Sequence, residues 1–378
     1  MKGLKSYRIV KGLKGFFLFL FKCFAAYSLV VYALTYWVPT PHWAAGFLMM
    51  SLPITVIINL AFAFLFLLID SKKALAPVFL ICLASVFLPR TFQFGDKDGA
   101  IPVSGKREKT FTILNYNVYG FWVTQRHKRE DDVQTDEMKK WLVDQDADIL
   151  CLPEFNHENQ VPSFRTIKYF DNAGYRFHNL LDNKKMNENT TFKSLAIFSK
   201  YPIVGHAEEA FEMQNGLMYV DIKIGKDTVR VIGVHLYSMA LRLKTLVSQK
   251  EMSGVKRETR SLLSQIKRGF SARVSEIYKM EEWIKESPHP VILCGDFNET
   301  PYSYFYGKTR AVLNNAFEEK GEGFGFTYNH IPWFIRIDNQ FYDDKKLDLL
   351  NFKTWKGIKY SDHNPSIGTY VVKRELAD

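Results

Sequence analysis

At several points along the chain a strand-like run ends in an acid, an amide or an imidazole. Asn117 follows "ILNY", Glu154 follows "ILCLP", His235 follows "VIGV", and Asp296 and Asn298 follow "VILCG". Toward the C-terminus come Asp338 in "IRIDNQF" and the pair Asp362 and His363 in "KYSDHNP". Carboxylate and amide oxygens are hard ligands of the kind Mg²⁺ takes, and an imidazole can carry charge or a proton near neutral pH. Each break alone is an ordinary turn, because Gly, Asp and Asn all bend chains. His235 also reads plainly as a satisfied hydrogen-bonding histidine, and Asn117 as a turn cap. A series of such endings reads differently: strands delivering side chains to one edge, where loops carry function.

The segments between these points have the pattern needed to position them. "TFTILNYNVY", "ADILCLPE" and "SLAIFSKYP" read as strands, and "LMYVDIKIGKDTVRVIGVHL" as two strands joined near Gly225-Lys226-Asp227. "TDEMKKWLVDQ" reads as a helix with Thr135 as its N-cap. "SARVSEIYKMEEWIKES" reads as a second, turning Val274, Ile277, Tyr278 and Ile284 inward and leading into "VILCGDFNETP". The stretch 240–270 is a basic helical insertion, read as a solvated face in preference to an anion-binding surface.

A different composition precedes this pattern. Of the 378 residues, with formal net charge +10, those up to about 94 are dominated by apolar and aromatic types. Three runs, 15–37, 44–69 and 74–94, approach the roughly 20 apolar residues a helix needs to cross a bilayer. The region 1–94 is therefore read as a membrane region, and 95–107, punctuated by glycine and proline, as a linker. Lys2, Lys5, Arg8, Lys11 and Lys14 precede the first run, and Lys72 and Lys73 lie between the second and third. Such a bias keeps the N-terminus in the cytoplasm and sends the chain outward after the third span. Four cysteines make no disulfide framework in a chain of this size. Cys151 and Cys294 sit in apolar runs, where burial is the default and a bridge is the alternative.

In order, "NYNVYGF", "LCLPEF", "GVHLYS", "GDFNETP", "RIDNQF" and "SDHNP" resemble the motifs of the endonuclease/exonuclease/phosphatase superfamily over about 108–372. "LAIFSKYPI" and "AFEEKGEGFGFTY" look like segments of its bacterial, membrane-anchored members. The resemblance implies an α+β fold, a four-layer α/β/β/α sandwich of two mixed sheets flanked by helices, here preceded by transmembrane helices. It implies Glu154 as principal Mg²⁺ ligand (Mn²⁺ as the alternative ion), with Asp362 at the metal and Asn117 beside it. Asp296 would orient or deprotonate the attacking water, and Asn298 would hold the nucleophile or phosphate. His363 would bind a phosphate oxygen with Asp338 fixing its ring; Asp348 in "KKLDLLNF" is the competing partner. His235 would lie near the phosphate and the leaving oxygen, and Thr327 and Tyr328 would line the cleft.

Two positions depart from the family pattern. Pro153 stands where glutamine is common, and Tyr119 where some nucleases carry an acid. Both weaken a specific nuclease assignment and leave the main machinery intact.

The expectation is thus a metal-dependent phosphoesterase in a bacterial cytoplasmic membrane, its domain on the outer side, cleaving an anionic phosphodiester by in-line attack of water. Nucleic acid is slightly favoured as substrate over a phospholipid or sphingolipid headgroup. A catalytically inactive anion- or partner-binding module is the reading from another class. No protein partner follows from the residues.

Overall fold

The computed structural model describes residues 2–95, 109–121, 133–181, 194–211, 214–238, 252–330 and 334–373. The expected linker, apart from Gly95, and residues 240–251 of the basic insertion lie outside them. The chain divides into two compact units, Met1–Pro89 with Tyr302–Gly307, and Arg90–Pro301 with Lys308–Asp378.

In the first unit, α1 (Lys2–Trp37), α2 (Trp43–Met50), α3 (Leu52–Ile69) and α4 (Leu75–Ala84) follow one another. Three stretches, Gly12–Trp37, Leu52–Ile69 and Ser71–Arg90, are long and apolar enough to cross a bilayer. Their exposed side chains include Ile57, Phe64 and Leu68, which suits a surface solvated by lipid tails. A buried amide and a buried hydroxyl are paired between α3 and α1, where Asn59 Nδ2 donates to Ser28 Oγ at 3.0 Å. The single span expected over 44–69 breaks at Ser51, because Pro53 at the head of α3 has no N–H to continue the preceding helix. The third stretch ends before the expected residue 94. Phe92–Phe94 instead pairs antiparallel with Glu322–Phe324, with the rings of Phe92 and Phe324 in edge contact.

The second unit is built on two six-stranded mixed sheets. Its strands are β1 (Phe111–Asn115), β2 (Ile149–Pro153), β3 (Phe177–Leu181), β4 (Leu195–Ser199), β5 (Ile203–Ala210) and β6 (Gly216–Ile224). They continue with β7 (Asp227–His235), β8 (Val291–Asp296), β9 (Asn314–Asn315), β10 (Asp338–Tyr342), β11 (Leu347–Thr354) and β12 (Ser366–Val372). One sheet runs β9-β10-β8-β7-β6-β5 and the other β11-β12-β1-β2-β4-β3. The apolar faces of both sheets meet in one core, where Ile113, Cys151 and Ile197 join Val231, Ile292 and Cys294. Cys151 and Cys294 are free thiols there, with Cys151 Sγ 3.7 Å from the Cys294 carbonyl.

A second core, including Leu114, Leu150, Phe170 and Phe198, lies under α5 (Val133–Asp144) and α6 (Thr166–Asn172). Thr135 does not cap α5, which begins at Val133; its hydroxyl donates to the Phe121 carbonyl at 2.8 Å. The helix before β8 is longer than expected, α7 (Met252–Lys285). Its inward residues are Arg273, Glu276, Ile277, Met280 and Trp283, while Tyr278 is exposed. Apolar periodicity found Ile277 but not the rest of this face, because the charged residues Arg273 and Glu276 occupy one turn of it.

Candidate active site

Hydrogen-bond register brings the chemistry together. β7 and β8 run parallel with His235 opposite Asp296, and β10 runs antiparallel to β8 with Asp338 opposite the same Asp296. At this edge β7 and β8 end and β10 begins, in a row of imidazole, carboxylate and carboxylate. From the other sheet, Asn117 lies two residues beyond β1 and Glu154 one residue beyond β2. The Asn117 amide nitrogen spans the sheets, 3.0 Å from Glu154 Oε1 and 3.0 Å from Asp296 Oδ2. Its oxygen accepts the Tyr119 N–H, so in this arrangement Asn117 links the two carboxylates.

The backbone at the site is bent in ways its residues resist. Glu154 (φ 55°), Tyr119 (φ 47°) and Asn298 (φ 49°) are all left-handed. Such non-glycine positions cost of order 1–3 kcal/mol each and persist where surrounding bonds over-determine them. Glu154 is held by its N–H to the Ser194 carbonyl and by Gly120 N–H to its own carbonyl. Gly295, at φ 142°, is a steric requirement: a Cβ there would stand 2.0 Å from the Val234 carbonyl oxygen.

Asp296 is buried, and its Oδ1 accepts the Asn298 N–H at 2.8 Å. Burial and then repulsion from Asp338 raise its pKa, against the pull of His363 and His235. Burial would lower the His363 imidazolium, but Asp338, Asp296 and Asp362 outweigh it and lift the pKa to about 10. Nδ1 of His363 lies 2.7 Å from Asp338 Oδ2, which leaves Nε2 directed at Asp296 Oδ2, 3.8 Å away. The competing partner, Asp348, sits at 3.1 Å from Lys373 Nζ instead. His235 Nδ1 faces the Gln214 carbonyl at 2.7 Å and donates to it, so Nε2 points inward, 3.6 Å from Glu154 Oε1. Asp362 is raised by burial first and then, against His363, by Glu154, and Ser361 Oγ braces it while donating to the Asn117 carbonyl.

Tyr328 lies edge-on to His363 with ring centroids 5.3 Å apart. Thr327, expected beside it in the cleft, is buried beneath. Its hydroxyl accepts the N–H groups of Ile337 and Asp338, both at 3.0 Å, and so fixes the start of β10. Two residues absent from the expected set reach the rim: Tyr119, whose phenol feels Asp362 and Glu154, and His330, 3.8 Å from Asp362. The sequence marked Tyr119 only as a departure from the family pattern, and nothing in its setting marked His330. Pro153 closes β2, and its carbonyl accepts the Val118 N–H, so the missing N–H leaves that connection intact.

Two mixed sheets flanked by helices, with acids and imidazoles gathered at one edge, are a phosphoesterase fold. The chain belongs to the Endonuclease/Exonuclease/phosphatase family, whose model matches residues 114–363, and members of that family are hydrolases of phosphoester bonds. Residues 14–91 match a family described as a domain of unknown function. Among solved structures, the catalytic domain of human Nocturnin is similar at 14% identity, covering 70% of this chain and 94% of that one, with TM-score 0.49. Sphingomyelinase C from Streptomyces griseocarneus is similar at 16% identity, covering 69% and 99%, with TM-score 0.47. An endonuclease/exonuclease/phosphatase from Bacteroides vulgatus is similar at 13% identity, covering 70% and 100%, with TM-score 0.46. No curated protein matches the chain significantly.

Proposed function

We propose that the chain is a divalent-metal-dependent phosphodiesterase, tethered to a membrane by its N-terminal helices, that hydrolyses its substrate by in-line attack of water. The observation that supports this most is the convergence on Asp296: Asn117 and Asn298 donate to it while His363 and His235 face it.

The donor set fits a cation. Ligand atoms of Glu154, His235 and Asp296 lie within 4.8 Å of one another, and the carboxylates of Asp338 and Asp362 add negative charge nearby. Glu154 and Asp362 would hold Mg²⁺ (or Mn²⁺), hard oxygen ligands for a hard ion, with Asn117 keeping Glu154 oriented. The bound ion would polarise the phosphoryl oxygen and stabilise the leaving oxygen.

The chain's own groups have separable tasks. Asp296, its basicity raised by burial, accepts the proton of the attacking water. Asn298 orients that water. His363, cationic at neutral pH, donates from Nε2 to a phosphoryl oxygen and offsets charge developing on it, while Asp338 holds the ring through Nδ1. His235, its Nε2 aimed inward, serves the leaving oxygen, and Tyr328 walls the cleft.

Nucleic acid is the first substrate reading, supported by the net charge of +10, which favours a polyanion. A lipid headgroup is the second, supported by three stretches fit to cross a bilayer. The full chain in detergent micelles, assayed with and without EDTA on DNA, sphingomyelin and phosphatidylcholine vesicles, a phosphomonoester and bis(p-nitrophenyl) phosphate, tests the reading. EDTA-sensitive release from the aryl diester and one natural class is expected. Tight binding without turnover on every substrate would point to an inactive module instead.

A further inference from the structure

We infer that Arg273 of α7 is a positioning residue for this site, clamping the segment after His235 to the segment after Asp296. The inference rests on the phosphodiesterase reading above. β7 and β8 stop pairing as strands at His235 and Asp296. Beyond that point the chains run on together through a few bonds: Leu236 N–H to the Asp296 carbonyl at 3.0 Å, and Asn298 Nδ2 to the Leu236 carbonyl at 2.9 Å.

Arg273, 1% exposed, fills the space behind them. Its Nε and Nη2 donate to the Tyr237 carbonyl at 2.8 and 2.5 Å, Nη2 also reaches the Asn298 carbonyl at 2.9 Å, and Nη1 meets Glu299 Oε1 at 2.5 Å. One turn along, Glu276 Oε2 accepts the Tyr237 N–H at 3.2 Å. A single planar cation therefore grips both segments. It holds Asn298 by its carbonyl while that residue adopts its left-handed backbone, from which its N–H orients Asp296 Oδ1.

A lysine cannot copy this. It carries charge, but as a point with three donors, and it lacks the rigid fork that reaches two carbonyls and a carboxylate together. Asp296 and Asn298 act on the attacking water, so loosening the clamp lowers turnover more than substrate affinity.

The test uses Arg273→Lys and Glu299→Gln in the full chain in detergent micelles, with bis(p-nitrophenyl) phosphate and Mg²⁺. Rates are taken per folded molecule, with thermal unfolding followed in parallel. For R273K we expect kcat about 10- to 100-fold lower, the scale of a small misplacement of reacting groups, with KM changed less than about twofold. E299Q, which keeps all the carbonyl contacts, should lose a smaller part of kcat in the same pattern. Folded R273K with wild-type kcat, or losses in both variants that only track the folded fraction, would overturn the inference. If R273K does not fold, E299Q decides by the same split, and unchanged kcat counts against the clamp. Crystal structures of the variants separate this claim from the functional one. A wild-type chain inert on the diester sinks the phosphodiesterase reading alone. Loss of the Asn298–Leu236 contact in the variant still supports the clamp, and its retention overturns it.

Discussion

Nδ1 of His363 and Oδ2 of Asp338 meet at 2.7 Å, both side chains buried, across the gap between the "SDH" turn and the first residue of β10. Burial works against the imidazolium, but the surrounding carboxylates lift its pKa to about 10, so the cation persists through neutral pH. Activity that needs this cation is present below that value and lost as pH rises through it. Asp338→Asn removes the main support and should move the alkaline fall in kcat toward neutrality. It should also lower kcat at pH 7 by up to about 10⁴-fold, the loss seen when a carboxylate that orients a catalytic histidine becomes an amide. A pH–rate profile of both forms checks this, and an unmoved alkaline limb would assign that limb elsewhere.

Asp296 should separate activity from stability. Its folded pKa is raised, by burial first and then by Asp338, so it contributes stability below its unfolded pKa that is lost as pH rises through the folded value. Burial and the Asp338 charge both disfavour the ionised form of this carboxylate in the folded chain. Asp296→Asn should therefore unfold at a temperature no lower than wild type while kcat falls about 10²–10⁴-fold. A variant both inactive and clearly less stable would mean that the carboxylate serves mainly to hold the site together.

Glu276 carries a pH dependence of its own. Burial, opposed by the Tyr237 N–H and Arg273 and reinforced by Glu299, pushes its carboxyl up to about 7. Because the raised group binds its proton more tightly when folded, its contribution is full below the ordinary carboxylate range and disappears as pH climbs through about 7. Glu276→Gln, the neutral isostere, should flatten this part of the stability curve and gain on the order of 1–3 kcal/mol over wild type at pH 8. Thermal unfolding between pH 5 and 9 gives the answer; parallel curves would count against it.

Gly295 should tolerate no side chain. Alanine there sets a methyl against the Val234 carbonyl and meets a positive φ, so either β7 and β8 separate or the turn into Asp296 changes. A loss of at least about 3 kcal/mol is expected from strain and overpacking combined. A chemical denaturation midpoint close to wild type would show that the strands can part without cost.

The site was more legible than its surroundings. The acids, amides and imidazoles singled out from the sequence come within the same region of the folded unit, and for Asn117, Glu154, His235, Asp296 and Asn298 the signal was a change of polarity at a strand end. The two departures from the family pattern, Pro153 and Tyr119, were visible as letters. That Tyr119 reaches the rim beside Asp362 and Glu154 was not, since its φ and direction depend on Gly120 and on contacts from distant segments. Thr327 shows the converse: a polar residue near the cleft whose hydroxyl is taken up by two backbone donors of β10. Arg273 and Glu276 left no trace because a charged pair on a helix reads as a solvated face until partners are seen to satisfy it.

Local order along the chain, by itself, determined where strands stop, which acids and imidazoles stand at those stops, and that an apolar region precedes them. These follow from side-chain polarity and backbone preference over short stretches. Tertiary structure placed Asp338, already preferred over Asp348 from the sequence, behind His363, and it alone decided that Asn117 joins Glu154 to Asp296 across two sheets and that a buried guanidinium braces the loops behind them. Those relationships depend on register and packing between segments up to some 180 residues apart, such as Asn117 and Asp296, and distances of that kind are set by the whole fold.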